Sequence, residues 1–232
     1  MTTLSKLLLC PTMTQRRLAI CFRRLASVLT LHPVIWAIAG CLLFWAWGGL
    51  MSSVSWNAIE IMMGRNLLRG YGLVVAPLDP PALWRPLLGA LICALIERFV
   101  TDPFIVYRVI YSISLSVFLV ATFYAARELW GRTAGHVACV FVLTSGALTA
   151  MLIGHVDSIS HVVFLLVAGP ALWATALALR NPTALRLVAA GVCWGLTSLA
   201  RWETLPYFVV TSGVLVYATY SRIKTMAVSG PL

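Results

Sequence analysis

The chain has 232 residues and a formal net charge of +10, and its mean hydropathy is +0.93. Hydrophobic residues make up 61% of it and charged residues only 10%, whereas a soluble domain carries about 25% charged residues. So few charges cannot cover a surface that faces water, which argues against a soluble enzyme, a nucleic-acid-binding domain and a disordered tail. The composition predicts an all-α integral membrane protein whose outer surface meets the lipid bilayer. Excess arginine in such a protein marks cytoplasmic loops and anionic headgroups, so we expect no nucleic-acid partner.

Residues 1–32 form a basic amphipathic segment. Arg16 and Arg23 are seven residues apart, as are Arg17 and Arg24, so each pair shares one helical face. This pattern predicts a cytoplasmic helix lying on an anionic inner leaflet. A cleaved signal peptide fits less well, because the arginines interrupt any apolar core.

Six apolar stretches meet or approach the length of about 20 residues that a membrane-spanning helix needs. They are 34–50, 105–125, 134–153, 159–179, 184–200 and 205–221. A seventh stretch, 87–96, is too short to cross. We therefore predict about six transmembrane helices, with 83–99 forming a helix on or in the outer leaflet.

The distribution of charge predicts the orientation. With six spans, one side collects the amino-terminal arginines and a further set of basic residues, Arg127, Arg132, Arg180, Arg186, Arg222 and Lys224. Only one of the seven acids, Glu128, falls on that side. Because cytoplasmic loops are enriched in Lys and Arg, we predict a multi-pass protein of the cell (inner) membrane. Both termini are then cytoplasmic, 51–104 is a long external loop, and 222–232 is a cytoplasmic tail.

Local signals predict where two helices begin. Asp102-Pro103 and Asn181-Pro182 each combine a good N-cap residue with proline at the first helical position. Asp157-Ser158 could cap the fourth span in the same way.

Arg201 and Glu203 are two charged residues within a long apolar stretch, where charge is least expected. They interrupt an apolar run from Leu187 to Tyr220, and charged groups at membrane depth tend to be functional. The alternative is a short interfacial turn in which Trp202 anchors at the headgroups. We predict that both residues bind substrate.

The external loop contains a second set of candidates. Arg65 and Arg69 are four residues apart in a predicted surface helix, 55–69, and could hold a phosphate; the alternative is a solvated polar face. Arg85 follows a proline-rich loop next to the membrane surface, and its alternative role is snorkelling to headgroups. Arg65 and Arg85 are predicted substrate-binding residues.

A divalent metal would fit the spacing of Asp157 and His161, which are four apart and share a helical face. A helix cap flanked by interfacial histidines is the commoner arrangement. The six cysteines show no metal-binding spacing. We therefore predict no cofactor and no metal site.

Five segments carry a pattern that goes beyond hydropathy. They are 55–72 (SWNAIEIMMGRNLLRGYG), 81–97 (PALWRPLLGALICALIE), 104–132, 155–164 (HVDSISHVVF) and 195–205 (GLTSLARWETL). In order and in position they resemble motifs of the GT-C class of membrane glycosyltransferases, in particular the protein O-mannosyltransferase and lipid A aminoarabinose transferase group. The resemblance covers 34–221, so it implies a GT-C-like transmembrane module over 33–221.

The resemblance implies sugar transfer from a polyprenyl-phosphate carrier at the external membrane face. A carboxylate of the first external loop would be the general base, and basic side chains would stabilise the departing phosphate. Glu60 lies in the loop where the family places its acid, and Asp157 aligns with the acid that opens the fourth span. Both are therefore predicted catalytic residues.

The sequence departs from the family in two respects. The acidic dipeptide of the family falls on Trp56-Asn57, and family members are generally much longer. The resemblance therefore implies an amino-terminal half, present as a truncated product, a fragment or a subunit completed by a protein partner. Two alternatives stay open. One is a catalytically silent relative that binds the lipid carrier or scaffolds a partner, and the other is a small transporter, which predicts polar residues at mid-membrane depth in several helices.

Overall fold

The computed structural model describes residues 33–48, 59–82, 86–100, 102–145 and 159–228. These residues form helices and connecting turns, without a β-strand among them. The helices are α1 (Val34–Gly48), α2 (Ile59–Leu68), α3 (Leu87–Glu97), α4 (Pro103–Trp130), α5 (Arg132–Thr144), α6 (Ile159–Arg180), α7 (Ala184–Ala200), a 3-10 turn (Trp202–Thr204) and α8 (Leu205–Val228). The contacts reported below lie within residues 36–232. The basic segment predicted at 1–32 and the end of the chain, 229–232, lie outside the described residues.

The all-helical class is confirmed, and each of the six predicted spans contains a helix. Two helical stretches are long and apolar enough to cross a bilayer, Ile105–Trp130 in α4 and Ile159–Arg180 in α6. At 1.5 Å per residue, α4 is about 42 Å long and α6 about 33 Å, against a hydrocarbon core of about 30 Å. The two shorter helices α2 and α3 lie within the predicted loop 51–104.

The pairing of α4 with α6 is the centre of the structure. A Cβ atom added at Gly169 of α6 would lie 2.9 Å from the Cα of Phe118 and 3.1 Å from the Cβ of Ala121, both on α4. Glycine is therefore required for the two backbones to approach this closely. The neighbouring Ala168 and Ala171 are also buried. Small residues at a helix crossing are the usual means of close packing in membranes, where burial of apolar surface gives little driving force.

The remaining long helices are arranged around this pair. α7 packs against α6, and α5 packs against α4. α1 is tied to α4 by Ser116, whose hydroxyl donates to the carbonyl oxygen of Ala37 at 2.8 Å. α1 is also tied to α5, because the indole N–H of Trp36 donates to Nδ1 of His136 at 3.1 Å.

The two ends of the bundle differ in chemistry. At one end, where α4 and α6 begin and α7 ends, an apolar cluster includes Ile61, Cys93, Val106, Ile159 and Ala200. This cluster brings α2 and α3 to that end. At the other end Arg180 donates to the carboxylate of Glu128, which joins the last turns of α6 and α4.

The predicted start of α4 is confirmed, but the predicted start of α7 is wrong by two residues. Thr183 caps α7, because its hydroxyl oxygen accepts the backbone N–H of Arg186 at 3.3 Å. The guanidinium of Arg186 meanwhile donates to the carbonyl oxygen of Asn181 at 3.2 Å. Asn181 and Pro182 therefore belong to the turn between α6 and α7.

Replacing Gly169 with alanine should destabilise the protein by about 1–3 kcal/mol, because the added methyl group meets the backbone of Phe118. Gly191→Ala is the matched control, since a Cβ there meets nothing within 4 Å. That control should leave stability unchanged or raise it, because alanine is the better helix former. Thermal unfolding in detergent measures both variants, and an equal loss in the two would contradict the close crossing.

Candidate functional site

The first group of candidate residues lies where α2 packs on α3. The helices approach closely because α2 carries Gly64, where an added Cβ would lie 2.7 Å from the backbone nitrogen of Ala94. The loop after α2 is held by Asn66, whose side-chain amide donates to the carbonyl oxygens of Val74 at 3.0 Å and Val75 at 2.9 Å. The α2–α3 pair is therefore an ordered part of the structure rather than a loosely attached surface element.

Glu60 is completely buried by this packing, with 0% of the residue exposed. Gly89 of α3 is its close neighbour, and Gly89 in turn lies against the backbone of Ser160 of α6. It also lies close enough to Cys93 and to Tyr111 of α4 for their charges to interact. The first turn of α2, which was predicted to lie on the surface, is thus buried where α2, α3, α4 and α6 meet.

The thiol of Cys93 shows how apolar this junction is. Burial raises its pKa strongly, and the nearby carboxylates of Glu60 and Glu97 raise the pKa further by opposing a second negative charge. The thiol therefore stays protonated at neutral pH and is not a nucleophile.

Arg65 is bound to a carboxylate of the same helix pair. Its guanidinium donates to Oε1 of Glu97 at 2.8 Å, and the Glu97 side chain is only 3% exposed, against 35% for Arg65. The arginine compensates a buried negative charge that would otherwise be costly. Its predicted role in substrate binding stays a prediction, because in this arrangement the guanidinium already serves the fold.

The second group of candidates lies at the turn from α7 to α8. The Arg201 backbone is extended, with φ −153° and ψ 110°. Its N–H donates to the carbonyl oxygen of Thr197 at 2.8 Å, and its own carbonyl oxygen accepts the N–H and the hydroxyl of Thr204 at 3.0 and 2.6 Å. Glu203 lies in the 3-10 turn that follows, and the Arg201 guanidinium donates to its carboxylate.

These two charged side chains lie at one end of a cavity of about 520 Å³. The cavity is an open groove bordered by α4, α6, α7 and the start of α8, and its lining comprises Phe118, Phe164, Ala168, Leu172, Trp194, Arg201, Glu203, Thr204 and Tyr207. From Phe164 to Leu172 it follows α6 for about 12 Å. A second, apolar cavity of about 440 Å³ lies between α7 and α8 and shares Trp194 with the first.

The cavity suits an amphipathic ligand. Its walls are aromatic and aliphatic over most of their length, and its charged groups converge at one end, as is usual for small-molecule sites. An anionic group could bind Arg201 there, while a hydrocarbon chain could lie along α6.

Four of the six predicted site residues are described by the structure. Glu60 and Arg65 share the α2–α3 junction, and Arg201 and Glu203 share the cavity. Arg85 and Asp157 lie outside the described residues, as does Trp56-Asn57. In the described ranges, no three His, Cys, Asp or Glu residues come close enough together to hold a metal ion.

Some features of the site were missed in the sequence. The sequence indicates the role of Glu97 only through its position, as an acidic residue at the end of an otherwise apolar helix. The aromatic walls come from four helices, so no single segment reveals them. Ser112, Ser114 and Ser116 are buried along α4. Ser112 and Ser116 are four residues apart and share a helical face, whereas Ser114 lies on the opposite side of α4. Three hydroxyls of one helix are fewer than the transporter alternative predicts, since it places polar residues in several helices.

Comparison of the chain with protein-family models, with curated proteins and with solved structures finds no match.

Proposed function

We propose that the protein crosses the membrane six times, through α1 and α4 to α8, and that α2 and α3 lie at its external face. The segregation of charge supports this topology. Among the described residues, the end where α4 and α6 finish carries Arg127, Arg132, Arg180 and Arg186 against a single acid, Glu128. The opposite end is charge-balanced, because the acids Glu60, Asp79, Glu97, Asp102 and Glu203 are matched by Arg65, Arg69, Arg98, Arg108 and Arg201. Basic residues mark the cytoplasmic side, so the cavity would open towards the outside of the cell membrane.

We further propose that the cavity binds a polyprenyl-phosphate-linked sugar and that the protein is a glycosyltransferase that uses this donor. The observation that carries the proposal is the position of Arg201, a cation that lies with its partner Glu203 at one end of a cavity whose other walls are mostly apolar. A polyprenyl phosphate has the matching order of groups, a long apolar chain ending in an anion. The sequence resemblance to GT-C enzymes supports the same donor.

The proposed reaction uses the phosphate as leaving group. The acceptor hydroxyl oxygen forms a bond to the anomeric carbon of the sugar, and the bond between that carbon and the phosphate oxygen breaks. The electron pair stays with the phosphate, and the hydroxyl proton passes to a carboxylate. Arg201 would stabilise the charge that develops on the leaving phosphate, an effect that is strong where water is excluded.

The identity of the base separates two candidate functions. A general base must approach the hydroxyl to about 2.6–3.2 Å, but Glu60 is fully enclosed. Glu60 could serve as base only if α2 moves away from α3, which leaves Asp157 as the other candidate. The burial of Glu60 specifically favours the second function, a catalytically silent protein that binds the lipid carrier or scaffolds a partner.

The topology predicts opposite accessibility for two cysteines introduced into a cysteine-free background. Asp79→Cys should react with a membrane-impermeant maleimide in intact cells, whereas Arg127→Cys should react only after the cells are opened. External labelling of Arg127→Cys would exclude the six-span arrangement.

Arg201→Ala should weaken binding of farnesyl phosphate, a short polyprenyl phosphate, by about tenfold, because one charge-assisted contact to phosphate is lost. Arg201→Lys should retain part of the affinity, since it keeps the charge. The matched control is Arg180→Ala, which removes an ion-paired arginine at the opposite end of the bundle. Calorimetry in detergent measures the affinities, and equal affinity of Arg201→Ala and wild type would rule out this phosphate site.

Sugar transfer, or hydrolysis of the lipid-linked sugar, distinguishes the enzyme from the silent binder. If Glu60 is the base, Glu60→Gln should lower the rate about 10²–10⁴-fold without abolishing donor binding. Asp157→Asn is the parallel variant, and thermal unfolding checks that both remain folded. A wild-type protein that binds the donor without turnover would establish the silent function instead.

A further inference from the structure

The cavity already contains an anion of the protein. Of the residues that line it, Arg201 and Glu203 are the charged ones, and they are paired with each other. A phosphate that binds Arg201 must therefore displace the Glu203 carboxylate from the arginine. The net charge of the residues that line the cavity is therefore close to zero before a ligand enters.

The two partners are held to different degrees. Arg201 is fixed by backbone hydrogen bonds on both sides, to Thr197 and to Thr204, and its side chain is 24% exposed. The side chain of Glu203 is 52% exposed, so it can rotate towards water while the arginine stays in the cavity. An ion pair with this much exposure contributes little to stability, so exchanging the carboxylate for another anion costs little.

We infer that Glu203 competes internally with the ligand phosphate for Arg201 and thereby disfavours phosphates of higher charge. The inference rests on the proposed function and assigns a role to a residue at the same site. When a phosphate binds, Arg201 leaves the Glu203 carboxylate and pairs with the phosphate. The carboxylate remains nearby and repels the bound anion.

This repulsion distinguishes the loaded carrier from the spent one. A carrier that bears a sugar is a phosphodiester with one negative charge, whereas the carrier released after transfer is a monoester with about 1.5–2 negative charges. The neighbouring carboxylate opposes the monoester more strongly. Glu203 would thus promote release of the spent carrier and its replacement by a loaded one.

Two ligands that differ in charge test this role without knowledge of the sugar. They are farnesyl phosphate and its methyl ester, farnesyl methyl phosphate, measured at about pH 8, where the monoester is doubly charged. Glu203→Gln should bind the methyl ester about two- to fivefold more tightly than wild type does. It should bind farnesyl phosphate more tightly by a clearly larger factor. Glu203→Ala, which also removes the carboxylate, should likewise tighten the binding of farnesyl phosphate more than the binding of the methyl ester.

Controls separate this inference from the proposed phosphate site. Glu128→Gln removes the partner of Arg180 at the far end of the bundle and should change neither affinity. In the double variant Arg201→Ala, Glu203→Gln, there is no arginine left to compete for, so the gain in affinity over Arg201→Ala should be smaller than the gain of Glu203→Gln over wild type. If Arg201→Ala weakens binding but Glu203→Gln tightens neither ligand, or tightens both equally, the role of Glu203 is overturned and the phosphate site stands. If Arg201→Ala leaves both affinities unchanged, the phosphate site itself is overturned.

Discussion

The close approach of α6 to α4 at Gly169 is the constraint on which the other packing depends. A side chain larger than hydrogen at this position would separate the two backbones, and both helices contribute walls to the cavity. Phe118 of α4 lines that cavity and also packs against Gly169, so one residue links the helix crossing to the binding space. The width of the cavity is thus set by backbone contact rather than by adjustable side chains.

Two ion pairs in different environments lie at the same end of the bundle. At the α2–α3 junction, Glu97 is enclosed and Arg65 compensates it, so removal of Arg65 would leave a costly uncompensated carboxylate. At the α7–α8 turn, Arg201 and Glu203 remain partly exposed and face a cavity. The first pair suits a structural role and the second suits exchange of partners, and this contrast is why we assign ligand binding to the second.

Much of the helical arrangement is predictable from the sequence, because long apolar runs determine both where helices form and where they end. The apolar stretch 184–200 coincides with α7, although the Asn181-Pro182 signal placed the start of that helix two residues too early. The pairing of Arg201 with Glu203 follows from the same signal, two charges inside an apolar run. The burial of Glu60 does not follow, since a short helix with an acid in its first turn predicts a polar face towards water. Its enclosure depends on α3, α4 and α6 meeting around it, and those helices come from distant parts of the chain.

The two hydrogen bonds of Asn66 have a mechanical consequence. They fasten the loop at Val74 and Val75 to the last turn of α2, and the N–H of Ala82 donates to the carbonyl oxygen of Leu73 at 2.9 Å, which extends this connection towards α3. α2 and the following loop are therefore connected by hydrogen bonds into one unit. A displacement of the whole of α2 that uncovers Glu60 therefore has to move this loop as well, or break the two hydrogen bonds of Asn66.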